Sequence, residues 1–194
     1  MGTLEKLPAG AFTQSEAARA GVDSRALYRL RDSGQLEQVS RGVYRLTTAP
    51  VADLDLLEIV KRRPHATLCL ASALAHHGLI DAIPSRTQVA IPRGQSAPPT
   101  MAAVRWHSFD RKTFLIGREE MLIPGTDERI GLYSAERSLV DVFRLRGSEG
   151  YETGIEALKA WLKRNDARPA VLLELAHMIP RALGPVKIAL AYLA

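Results

Sequence analysis

The stretch TQSEAARAGVDSRALYRLRDSGQLEQVSRGVYRL, residues 13–46, decides how the N-terminal part of this chain folds. Thr13 stands where a helix cap belongs, and Glu16 follows three residues later, the reciprocal arrangement in which cap and glutamate satisfy each other's orphan amides. The helix so opened runs to Gly21, a residue that readily takes the left-handed conformation of a helix stop. Val22 and Asp23 then form a short link, and Ser24 is expected to cap a second helix that ends at Gly34. Beyond Gly34 the period changes. LEQVS and VYRLT flank Arg41-Gly42, with valine and tyrosine suited to strands and glycine to a tight turn. Two short helices followed by a two-stranded wing make the outline of a winged helix-turn-helix.

At 100° per residue, Ala26, Leu27 and Leu30 fall on one side of the second helix. Arg25, Tyr28, Arg29 and Asp32 fall on the other, with Arg31 nearer the buried edge. The outward face therefore presents two arginines and a tyrosine from the early turns, the part of a recognition helix that reaches base edges. Arg41 sits at the tip of the wing, where it can lie on phosphate or enter the minor groove.

The charge distribution agrees. The chain of 194 residues carries a formal net charge of +5, with a sequence pI of about 9.6. Residues 1–46 hold seven cations (Lys6, Arg19, Arg25, Arg29, Arg31, Arg41 and Arg45) against five acids, a net +2 within the first quarter. Six of the seven are arginine, whose planar fork suits phosphate and guanine better than lysine does.

Composition excludes several classes. A hydrophobic content of 46% with 24% charged residues is ordinary for a globular chain large enough to build a core. No run approaches a membrane span, and MGTLEKLPAG lacks the basic start and apolar block of a secretory signal, so a cytoplasmic protein is expected. Cys69 is the only cysteine, which excludes an internal disulfide and a thiolate-rich metal site, and it reads as a small buried apolar residue. His76 and His77 are adjacent and so diverge on a helix, while His65, His107 and His177 are scattered; no metal or cofactor site is expected. GxSxG, a Walker loop and GxGxxG are all absent, leaving no catalytic motif.

Past the wing, TTAPVAD reads as a linker, with Asp53 capping LDLLEIVKRR before Pro64. The cations Lys61, Arg62 and Arg63 fall at that helix's C-terminus, where they oppose the negative end of its dipole. ATLCLASALAHHGLI is expected to pass from a strand or short turn into a helix ending at Gly78, and TQVAIPRG and VRWHSF alternate as strands. From Ser134 the chain reads as helical: SAERSLVDVFRL, GIEALKAWLKR, PAVLLELAHMI and GPVKIALAYLA. The acidic REE at 118–120 and the cations Lys159, Lys163 and Arg164 read as solvated surface. The expected fold class is α+β, with a winged helix-turn-helix domain over residues 1–48 and a mixed α/β domain with a helical C-terminal half over 49–194.

Taken together, these blocks resemble the AbiEi-type antitoxins of bacterial type IV toxin-antitoxin systems. The resemblance lies in FTQSEAARAGVDSRALYRLRDSGQLEQVSRGVYRL (12–46), ASALAHHGLIDAIPSRTQVAIPRG (71–94) and SAERSLVDVF (134–143). It implies a transcriptional repressor whose winged domain binds inverted repeats in double-stranded DNA of its own promoter, and a C-terminal domain needed to neutralise a nucleotidyltransferase toxin. Carried over by position, it places DNA contacts on Arg25, Tyr28, Arg29 and Arg41, and secondarily on Arg31 and Arg45. The chain departs from the family in its short leader MGTLEKLP, which leaves little room for a helix ahead of the capping box.

Similar winged segments also precede nucleases of the very-short-patch-repair type. Such an enzyme needs carboxylates and a lysine gathered on adjacent strands around a metal. Here Glu136, Asp141 and Glu174 fall in predicted helices. A ligand-sensing transcription factor is the third reading, to be distinguished by ligand-dependent release from DNA.

Overall fold

The computed structural model describes residues 3–145, 147 and 151–193. It divides into two compact units. The first takes the chain up to His65 together with Pro98–Ala103 and Met121–Ile130. The second takes Ala66–Ala97, Val104–Glu120 and the chain from Gly131 onward. The winged segment expected over 1–48 lies wholly within the first unit.

In the first unit a 3-10 turn at Leu4–Lys6 precedes strand β1 (Phe12–Thr13), helix α1 (Gln14–Arg19), helix α2 (Ser24–Asp32), strands β2 (Leu36–Ser40) and β3 (Val43–Leu46), and helix α3 (Leu54–Arg62). The capping box forms as the sequence predicts. Thr13 Oγ1 accepts from the Glu16 N–H, and the Glu16 carboxylate accepts from the Thr13 N–H at 2.6 Å. The cap of α2, in contrast, is Asp23, whose Oδ1 accepts from the Ala26 N–H at 2.7 Å. Ser24, expected in that role, is the first helical residue, and its hydroxyl accepts from Gln14 Nε2 at 2.6 Å, tying the start of α1 to α2.

The wing is three-stranded. β2 and β3 pair antiparallel about Arg41-Gly42, and β1 adds to the far side of β3, giving the order β1-β3-β2. Gly42 has φ +76, a conformation that makes glycine the fitting residue in this turn. A bulge between Gln38 and Ser40 brings Ser40 opposite Val43. Leu7, Phe12, Ala17, Val22, Leu27, Leu36 and Tyr44 fill the small core beneath, so the apolar face assigned to α2 is the one it buries. Gly125 shows how closely the later segment 121–130 packs within this unit: a Cβ there would stand 1.9 Å from the Val51 carbonyl oxygen.

The larger sheet comprises strands β4 (Thr67–Leu68), β5 (Thr87–Pro92), β6 (Val104–Phe109), β7 (Arg118–Leu122) and β8 (Arg129–Tyr133), in the order β6-β5-β4-β8-β7, and the second unit takes all of it except Met121 and Leu122 of β7 and Arg129 and Ile130 of β8. β5 and β6 run parallel, as do β4 and β8, whereas β4 and β5 are antiparallel. The connection from β5 to β6 contains no helix, unusual for adjacent parallel strands. Helices α4 (Leu70–His76), α5 (Ala135–Arg144), α6 (Tyr151–Leu162), α7 (Pro169–Met178) and α8 (Leu183–Leu193) supply the apolar surface, with Leu74, Leu139, Phe143, Leu158, Trp161 and Leu172 deep in the core. Cys69 is fully buried there, as expected.

REE at 118–120, expected as solvated surface, opens strand β7. Glu119 and Glu120 are exposed, but Arg118 turns across the sheet and donates from Nε to Thr67 Oγ1 at 3.0 Å. Asp141, one of the carboxylates weighed for nuclease chemistry, lies on α5 and is wholly buried against two arginines. Arg137 Nε donates to one of its oxygens, and Arg144 Nη2 to the other, both at 2.8 Å. Arg137 also donates to the carbonyls of Thr113 and Ile116, and its guanidinium lies 4.4 Å from the Tyr133 ring centroid. A buried charge so fully paired holds structure together, and removing one partner would leave the other stranded.

Candidate nucleic-acid interface

α2 presents its polar face because its apolar stripe is committed to the core: Leu27 is 1% exposed, while Arg25, Tyr28 and Arg29 stand outside. With Asp23 these three line one shallow depression of about 500 Å³. The side chains of Arg25, Arg29 and Arg41 have no hydrogen-bond or ion-pair partner among the described residues. Unpaired guanidinium groups on an exposed face retain all their donors for phosphate or guanine. Tyr28 is 44% exposed and offers both a ring and a hydroxyl.

Arg31 belongs to the rim of this face. It pairs with Asp32 at 2.8 Å, reaches Gln38 Oε1 on β2 at 3.5 Å, and lies over the Tyr28 ring with its guanidinium carbon 5.1 Å from the centroid. It therefore orients Tyr28 and links helix to wing.

Arg45 departs from the expectation that it touches DNA. It is 6% exposed, its Nη2 donates to the carbonyls of Ala49 and Pro50, and its Nε pairs with Glu37. The alternation of β3 points it away from the helix face, and the chain leaving the wing folds over it. Its role is to fasten that exit.

Helix α3 supplies residues that the sequence assigns first to the helix dipole, with an auxiliary phosphate contact as the alternative. Lys61 Nζ stands 2.6 Å from Glu128 and 3.8 Å from Glu16, so it meets the capping-box carboxylate. Burial alone would push the Glu16 carboxyl up, but the Thr13 bonds and the Lys61 and Arg19 charges outweigh it and hold the group below its ordinary value. Arg62 reaches the wing turn itself, donating from Nη2 to the Arg41 carbonyl at 2.6 Å. The cation run KRR was visible in the sequence; its remote partners, Glu16, Arg41 and Glu128, were not.

Among the described residues no three His, Cys, Asp or Glu side chains gather in a metal-binding arrangement, and no helix is long and apolar enough to cross a membrane.

Comparison with known proteins bears out the resemblance over the wing. Residues 5–47 match the family model described as transcriptional regulator, AbiEi antitoxin. No curated protein matches the chain. Among solved structures, the RV2827C protein from Mycobacterium tuberculosis is similar, with a TM-score of 0.60 at 20% identity, covering 94% of this chain and 71% of that one. At that identity the likeness speaks for a shared fold alone.

Proposed function

We propose that this protein is a DNA-binding transcriptional repressor and antitoxin of a type IV toxin-antitoxin system. In this reading residues 1–48 bind inverted repeats in the protein's own promoter, and residues 49–194 serve to neutralise a nucleotidyltransferase toxin. The protein works in the cytoplasm by binding, with no catalytic step and no cofactor. The observation that carries the DNA half is the outward face of α2, where Arg25 and Arg29 stand unpaired beside Tyr28, next to a wing turn bearing Arg41. The family match over residues 5–47 supports it and extends it to the antitoxin role.

Phosphate contacts supply most of the affinity, and base-edge contacts from Arg25, Tyr28 or Arg29 supply the sequence preference. Arg31 contributes from the rim. The test is a titration of the full chain on the DNA upstream of its own operon and on random duplex, at two salt concentrations. Tighter, footprintable binding upstream that weakens with salt is the expected result. Equal affinity for both duplexes would overturn the repressor reading. Co-expression with the neighbouring toxin tests the antitoxin half: growth should be rescued by the full chain and not by residues 1–48.

A further inference from the structure

Within the first unit, Arg62 and Glu58 on α3 stand one helical turn apart and face the wing. Arg62 Nη2 donates to the Arg41 carbonyl at 2.6 Å and reaches Ser40 Oγ at 3.4 Å, holding the last residue of β2 and the first of the turn. Arg62 Nε stands 3.9 Å from Glu58 Oε1. Glu58 is 2% exposed, an uncommon place for a carboxylate without several partners. Its remaining partners are the backbone N–H groups of Met101 and Ala102, which donate to Oε2 at 2.9 Å each. These amides belong to the segment 98–103, part of the connection from β5 to β6, yet packed in the same unit as the wing.

We propose that Glu58 and Arg62 are positioning residues for DNA recognition, a relay by which the 98–103 segment fixes the wing turn and so the place of Arg41. The inference rests on the DNA-binding reading above and deepens it. The physical case is that a glycine-containing turn is soft, and an arginine at its tip contributes to affinity only if it is held where the phosphate lies. Arg62 supplies that hold through the carbonyl of the very residue that carries the contact. Glu58, anchored by two amides, keeps the Arg62 guanidinium from swinging into solvent. Glu58 itself is too deeply buried to touch a duplex.

That burial makes the test one of sign. Glu58→Gln removes a negative charge, so simple electrostatics would tighten binding to any DNA. The relay requires the opposite: affinity for upstream DNA should fall about tenfold, as expected when the charge attraction that holds Arg62, an ion pair at 3.9 Å rather than a hydrogen bond, is lost. In an Arg41→Ala background the same substitution should cost less than about twofold, because both changes then act through one contact. Arg62→Lys, which keeps one donor to the turn but loses the fork, should fall between wild type and Arg62→Met. Hydrogen exchange of the backbone amides at 41–44 in the DNA-free full chain provides a readout independent of DNA. Arg62→Met should speed exchange there and leave α2 unchanged.

Unchanged or tighter upstream binding by a folded Glu58→Gln protein would overturn the relay. So would full additivity with Arg41→Ala, which would mark Arg62 as a separate phosphate contact. If Glu58→Gln fails to fold, the Arg62 variants decide the matter by the same additivity and exchange measurements. If wild type shows no preference for upstream DNA, it is the repressor reading that fails. The exchange rates at 41–44 then decide on their own whether Arg62 holds the turn.

Discussion

Arg29 and Arg45 lie 16 positions apart in one winged segment and have opposite fates. Arg29 is exposed and unpaired, and Arg45 is enclosed by two carbonyls and Glu37. Arg29→Ala should weaken binding to the upstream site by about 1 to 3 kcal/mol if it reads a base, with a smaller loss on random duplex. Equal losses on both would assign it to phosphate. Arg45→Met should act on stability instead, by about 1 kcal/mol, since it removes the two hydrogen bonds that fasten the chain leaving the wing. Thermal unfolding should drop while the salt dependence of DNA binding stays at the wild-type slope; a shallower slope would return Arg45 to the interface. Sequence reading placed both arginines on the wing or helix but could not separate them, because which face of β3 is covered depends on where residues 49 and 50 fold.

At the scale of the element, the start of α1 is pH-sensitive through Glu16. Its folded value is lowered from 4.5, so the unfolded chain binds more protons through this range and stability rises with pH there. The contribution is fully present above 4.5 and is lost as pH falls through the lower folded value. Exchange protection at the N-terminus of α1 should therefore decline below that point. Glu16→Gln should flatten this response, and an unaltered profile in that variant would assign the titration to another group. The capping box was legible in four letters because its interactions span three residues. Strand β7 was not, because REEML carries neither alternation nor β-branched residues, and its extended form follows from a neighbour supplied by the sheet.

For the molecule as a whole, the wing's surroundings come from far along the chain. Lys61 meets Glu16, and Arg62 meets the Arg41 carbonyl, both from beyond residue 48. An isolated 1–48 fragment keeps the core of Phe12, Leu27, Leu36 and Tyr44 but loses these braces, and at that size little stability is spare. It should unfold at a lower temperature than the same segment in the full chain, followed by exchange at Leu27 and Tyr44. Equal protection in both would show that the winged segment stands without α3.

What the sequence by itself determined is what depends on neighbours a few residues apart: the capping box, the buried stripe and cationic face of α2, the tight turn at Gly42, and the helices of the second unit. The tertiary structure alone decided matters that join distant positions. It buried Arg45, set Glu58 on two amides more than 40 residues away, and paired Arg137 with Asp141 in the core. The reason is that a local pattern fixes which way a side chain faces along its own element. Whether that face meets water, a carbonyl or an opposite charge is settled only when remote segments pack on it.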